Sequence, residues 1–126
     1  MGNGHPIGAV ITTDEISKSF ERGVEFFSSF GGNPVSCSAG LAVLDVIEEE
    51  NLQNNAKNVG DYYLKQLNNL KKEFSCIGDV RGTGLFVGIE IVKKDSKIPD
   101  KRLAQKIKND LRKNYILVGS DGPHDN

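Results

Sequence analysis

The chain has no tryptophan, one methionine, two cysteines, two histidines and four prolines among its 126 residues. Each scarcity removes a class of reading. Two cysteines cannot build the disulfide framework of a small secreted domain, so Cys37 and Cys76 read as buried thiols in a reducing, cytoplasmic compartment. His5 and His124 have no cysteine or carboxylate at ligand spacing, so no metal site is expected. No apolar run approaches the ~20 residues of a spanning helix. The start, Met1 to His5, lacks the basic and apolar regions of a signal peptide, so no membrane association is expected. A formal net charge of −1 supplies no field for nucleic acid. Residues 93–113 do carry nine basic and three acidic side chains. With no aromatics between them, they read as a solvated helix face and not as an RNA surface.

What the chain does have is glycine. There are fourteen, clustered at Gly2/Gly4/Gly8, Gly31/Gly32, Gly82/Gly84/Gly88 and Gly119/Gly122, which calls for tight turns or close backbone approaches. Hydrophobic residues make up 37% and charged residues 26%, an ordinary globular balance. The length suits one small domain with a real core. Both ends nevertheless read as cut: a Gly-Asn-Gly loop opens the chain with nothing before it, and Asp121-Gly-Pro123 closes it on a turn.

Ile7–Thr13 is apolar and β-branched, as a buried strand would be. A short helix is expected at Glu15–Arg22, stopped by Gly23. Asn33 followed by Pro34 is a helix start, with the cap on asparagine and proline at the first helical position. The helix from Pro34 to about Glu49 is apolar nearly all round, the pattern of an element buried between layers. The next helix carries a one-sided stripe, Leu52, Ala56, Val59, Tyr63, Leu67, Leu70 and Phe74. Strands are expected at Cys76–Val80 and Leu85–Val92, turning through Arg81-Gly-Thr-Gly84. A helix at Lys101–Lys113 and a last strand at Tyr115–Val118 complete an α/β or α+β alternation.

Few residues offer chemistry. Gly2-Asn-Gly-His-Pro-Ile-Gly8 fails as a dinucleotide fingerprint, because its third glycine falls one place late and a strand, not a helix, follows. Ser28-Ser-Phe-Gly-Gly-Asn33 combines hydroxyls, glycine amides and a helix start, which is a candidate anion cradle or an ordinary capped turn. Glu48–Glu50 reads as a solvated helix end, and Arg81 as a tie to a neighbouring carboxylate. No catalytic nucleophile or acid–base pair emerges.

Four stretches carry a further signal. They are Gly2-Asn-Gly-His-Pro-Ile-Gly-Ala-Val-Ile-Thr-Thr13; Ser29-Phe-Gly-Gly-Asn-Pro34 with Ala39–Ile47; Gly78-Asp-Val-Arg-Gly-Thr-Gly-Leu-Phe-Val-Gly-Ile-Glu90; and Leu117-Val-Gly-Ser-Asp-Gly-Pro-His124. In this order and spacing the chain resembles part of the class III pyridoxal-phosphate-dependent aminotransferases of fold type I. The first and last stretches are most similar to the branch holding ethanolamine-phosphate and phosphohydroxylysine phospho-lyases. The resemblance implies a fold type I fragment. Residues 1–50 would be the end of the large cofactor-binding domain, and 51–126 most of the small C-terminal α+β domain, truncated. It implies pyridoxal 5′-phosphate as cofactor, a homodimer, and a small amine and keto acid as substrates. None of the twelve lysines sits in the family's Schiff-base motif, which falls just upstream of Gly2. The segment alone is therefore expected to give no turnover. Ser29 stands where the family usually has a threonine that holds the cofactor phosphate of the partner subunit, with Ser28 before it. Elimination from a phosphorylated amino alcohol is the alternative activity, and a non-catalytic assembly module the alternative of another class.

Overall fold

The computed structural model describes residues 1–23 and 25–126. Among these residues four helices and two strands follow one another as α1 (Asp14–Glu21), α2 (Pro34–Glu49), α3 (Leu52–Glu73), β1 (Ile77–Thr83), β2 (Phe86–Ile91) and α4 (Lys101–Lys113). The chain divides into two compact units, Met1–Leu52 and Gln53–Asn126.

In the first unit, turns and caps define the backbone. Asn3 and Gly4 both have positive φ (46° and 105°), and the His5 amide donates to the Gly2 carbonyl at 3.1 Å. Asn-Gly is the dipeptide that tolerates this mirror-image turn. The expected strand at Ile7–Thr13 does not form, and Val10 and Ile11 are each 94% exposed. A strand of this composition needs neighbours on both edges, and the one sheet among the described residues is the β1–β2 pair. Helix α1 begins after Thr13, and the Phe20 and Phe26 rings meet edge-on at 6.0 Å. Helix α2 runs over the expected residues, but it is not buried between layers. Gly40 is its one buried position, while Val35, Leu41, Leu44 and Val46 are exposed.

The second unit packs a core. Leu67 of α3, Ile91 of β2 and the adjacent Val92 are its buried hydrophobics. The strands pair antiparallel, with Thr83 opposite Phe86, so the turn is Gly84-Leu85 and not the expected Arg81–Gly84 stretch. Gly84 has φ +52°, the conformation a two-residue hairpin turn with glycine at its first central position requires. A register irregularity lies between Ile77 and Asp79. The protected face of α3 is Ala56, Gly60, Leu64, Leu67 and Lys71, displaced from the expected stripe, whose Val59, Tyr63 and Leu70 stay exposed. Gly60 explains the displacement: a Cβ there would lie 2.5 Å from the Gly84 carbonyl carbon. Helix and turn therefore meet backbone to backbone.

Asp100 caps α4 by accepting from the Leu103 amide at 3.0 Å. Leu103, Ile107 and Leu111 form its half-buried face. The expected strand at Tyr115–Val118 is absent, and Tyr115 turns at φ +63°. The tail returns along α4 instead, through Lys108–Ser120 (3.0 Å), Lys101–Asp125 (2.6 Å) and Asn126 Nδ2 to the Ile91 carbonyl (2.8 Å). Both cysteines are free thiols, Cys37 exposed and Cys76 half-buried, which corrects the expectation of two buried ones. Among the described residues no helix is long and apolar enough to cross a membrane.

Candidate functional site

The candidate anion loop, Ser28 to Asn33, is shaped by its own hydrogen bonds. Ser28 Oγ accepts from the Gly31 amide at 3.0 Å, which leaves its hydroxyl proton free to donate. The Asn33 amide donates to the Phe30 carbonyl at 3.4 Å, with Gly32 at φ +71°. Positive φ at the third residue of such a turn calls for glycine. The Ser29 hydroxyl is exposed and has no partner among the described residues, and nothing stands within 4 Å of where a Gly32 Cβ would be.

Asn33 then starts α2. Its Oδ1 accepts from the Ser36 amide at 2.9 Å, and Pro34 occupies the first helical turn, which holds no acidic side chain. The donors around this loop are thus neutral hydroxyls and amides, with the positive end of a helix behind them. That donor set fits a phosphate.

An open groove of about 780 Å³ adjoins the loop, lined by residues that include His5, Ile7, Gly32, Asn33, Ser36 and Gly40. His5 Nε2 lies 2.8 Å from Ser36 Oγ. Gly40 lets Ile7 approach, since a Cβ there would stand 3.3 Å from Ile7 Cδ1. The Gly-Asn-Gly-His turn, which fails as a nucleotide loop, therefore forms a wall beside the serine loop. Sequence reading tested His5 for metal spacing and missed this contact, because Ser36 lies 31 positions away. No metal-binding cluster of His, Cys, Asp and Glu exists among the described residues.

Arg81 lies in the other unit. Its guanidinium reaches Asp79 at 3.0 Å and Glu90 at 3.4 Å, and Lys71 adds a longer contact to Asp79 at 3.6 Å. The hydrogen bond from Arg81 holds the Asp79 carboxyl below its ordinary value. It is a tie across the hairpin, as its sequence context implies. The carboxylates Glu48, Glu49 and Glu50 are solvated at the end of α2.

Residues 1–124 match the profile described as "Aminotransferase class-III". The chain is 56% identical over 129 residues to an alanine–glyoxylate aminotransferase 2-like protein of Drosophila melanogaster, covering all of this chain and 26% of that one. Among solved structures it is similar to a phospholyase from Arthrobacter in complex with phosphoethanolamine, with a TM-score of 0.90 and 46% identity. That match covers all of this chain and 30% of the other. It is also similar to an amine transaminase from an uncultivated Pseudomonas species in its PLP-bound form. There the TM-score is 0.70 and the identity 32%, covering 83% of this chain and 26% of the other. The chain spans about a quarter of the length of the curated relatives it matches.

Proposed function

The chain belongs to the class III aminotransferases, a pyridoxal-phosphate-dependent family of fold type I, and from that premise we propose that it is a segment of a working transaminase. The complete enzyme moves an amino group from an amine or amino acid to a keto acid. The match of the family profile across residues 1–124 carries this reading. Residues 1–50 are assigned to the end of the large cofactor-binding domain and 51–126 to the small C-terminal domain. The enzyme is cytoplasmic and a homodimer, and neither nucleic acid nor membrane is a partner.

Bound pyridoxal 5′-phosphate supplies the electron sink for amino-group chemistry. This segment's contribution is to hold the phosphate. Ser28 and Ser29 donate their hydroxyl protons, and in a homodimer they serve the cofactor of the second copy. We assign no catalytic residue within these 126 positions. The family's Schiff-base lysine has no counterpart among the twelve lysines, so the segment by itself gives no turnover. In the full-length protein, Ser29→Ala removes one hydrogen bond to a charged group, about 1.5–3 kcal/mol of cofactor affinity. Unchanged affinity in a pyridoxal phosphate titration would sink that assignment.

Elimination of phosphate and ammonia from a phosphorylated amino alcohol is the second reading. It is favoured by the similarity along the whole chain to the phospholyase in complex with phosphoethanolamine. Assays of the full-length protein separate the two. Transamination requires a keto acid as amino acceptor, whereas phospho-lysis releases phosphate from phosphoethanolamine without one. A folded full-length protein that leaves pyridoxal phosphate absorbance unperturbed would instead make it a non-catalytic assembly module.

A further inference from the structure

The hydrogen bonds at the start of α2 have a fixed direction. Asn33 Oδ1 accepts from the Ser36 amide at 2.9 Å, so its Nδ2 must be the donor. Its two protons go to the Phe30 carbonyl at 2.8 Å and to Ser36 Oγ at 3.0 Å. Phe30 is the middle of the serine loop, so its carbonyl is held by the backbone amide of Asn33 and by the Asn33 side chain together. Ser36 Oγ, with one lone pair given to Asn33, meets His5 Nε2 at 2.8 Å.

His5 is itself held firmly. The Gly2–His5 turn closes on a 3.1 Å hydrogen bond. Gly2 is buried, and a Cβ there would meet the His5 carbonyl and stand 2.8 Å from Ile7 Cγ2. The His5–Ser36 contact joins segments 31 positions apart in sequence. Capping α2 does not need it, because Asn33 alone satisfies the Ser36 amide.

We propose that His5 is a positioning residue for the Ser28–Gly32 loop, acting through Ser36 and Asn33 to hold the Phe30 carbonyl and so aim the serine donors at a phosphate. This rests on the reading of Ser28 and Ser29 as phosphate donors. Preorganised donors bind more tightly because less motion is lost on binding. The relay supplies that order from outside the loop.

The test uses the full-length protein stripped of cofactor and titrated separately with pyridoxal 5′-phosphate and with pyridoxal, which lacks the phosphate. His5→Leu and His5→Asn remove the contact, asparagine because its amide falls short of the Nε2 position. His5→Gln places an amide nitrogen near that position. Losing one neutral hydrogen bond predicts roughly 2- to 12-fold weaker pyridoxal 5′-phosphate binding for leucine and asparagine. Glutamine should rescue binding, and pyridoxal affinity should stay unchanged throughout. Equal losses for both ligands, or failure of glutamine to rescue, would make His5 a packing residue and overturn the proposal. Wild-type binding by His5→Leu would overturn it as well. Ser29→Ala separates the two layers. If it binds pyridoxal 5′-phosphate normally, the phosphate reading fails and the positioning role with it; if it weakens binding while His5→Leu does not, only the positioning role fails.

Discussion

The two units differ in what these 126 residues supply to hold them. Gln53–Asn126 closes a small core of Leu67, Ile91 and Val92, and its helix α3 meets the hairpin turn without an intervening side chain at Gly60. Among its described residues Met1–Leu52 buries only Gly2 and Gly40, and it leaves Val10, Ile11 and four phenylalanines, Phe20, Phe26, Phe27 and Phe30, exposed. The described residues of the first unit are ordered by a positive-φ turn, a capped helix start and a short relay of side-chain hydrogen bonds. The candidate site lies there, on the unit in which these residues, about a quarter of the length of their curated relatives, enclose little core. Hydrogen bonds fix direction, whereas apolar burial fixes little beyond proximity. A loop that must aim donors is better served by the first.

The largest effect that would break this contrast is expected at Gly60. Alanine in a helix interior normally gains about 1 kcal/mol over glycine. Here its Cβ would fall 2.5 Å from the Gly84 carbonyl carbon and 2.9 Å from its Cα. Backbone yields less readily than a side chain. Gly60→Ala should therefore cost a net of about 1–3 kcal/mol. Native-state hydrogen exchange reads this as roughly 5- to 150-fold faster opening of the β1–β2 amides, with no change in α2. Unchanged protection of the hairpin would show that the close approach at Gly60 is not what holds it.

The second effect belongs to the first unit. Gly32 has φ +71°, and no neighbouring atom would obstruct a side chain there. The cost of Gly32→Val is thus conformational, roughly 1–2 kcal/mol for a left-handed residue. We expect a lower melting temperature, with hairpin protection retained. An unaltered melting curve would mean that the loop relaxes to another turn at no cost.

Local chemistry was the legible part of this fold. Asn33-Pro34 announces its helix because a cap acts within three residues of itself, and α2 begins where those residues place it. The β-branched runs at Ile7–Thr13 and Tyr115–Val118 misled because a strand is defined by its partners, which no local pattern contains. The covered face of α3 was misplaced because Gly60 contributes nothing to an apolar count, although it allows the closest approach. Gly82 misled in the same way. It reads as a turn residue, yet it sits within β1, where a Cβ would stand 2.5 Å from the Phe86 carbonyl oxygen. At the candidate site, the serines and the cap could be named from sequence. The His5–Ser36 contact could not, because the turn that presents His5 and the helix that presents Ser36 come together only in three dimensions.

The smallest effect concerns the charges on the hairpin of the second unit. Arg81 donates to Asp79 Oδ2 at 3.0 Å, and this hydrogen bond is the main reason the Asp79 carboxyl is held below its ordinary value of 3.8. A carboxylate with a lowered folded-state value binds fewer protons folded than unfolded. Its contribution is therefore complete above the ordinary value and disappears as the pH falls through the lower, folded one. The pair is solvated, so salt should weaken it further. Carboxyl-carbon chemical shifts across an acid titration check this directly. In Arg81→Met the Asp79 midpoint should rise towards the ordinary value, with the hairpin register intact. If the midpoint stays low, Arg81 is not its cause, and the longer contact from Lys71 at 3.6 Å becomes the charge to remove next. If the register is lost instead, the second unit depends on a surface ion pair as the first depends on its hydrogen bonds, and the contrast between them narrows.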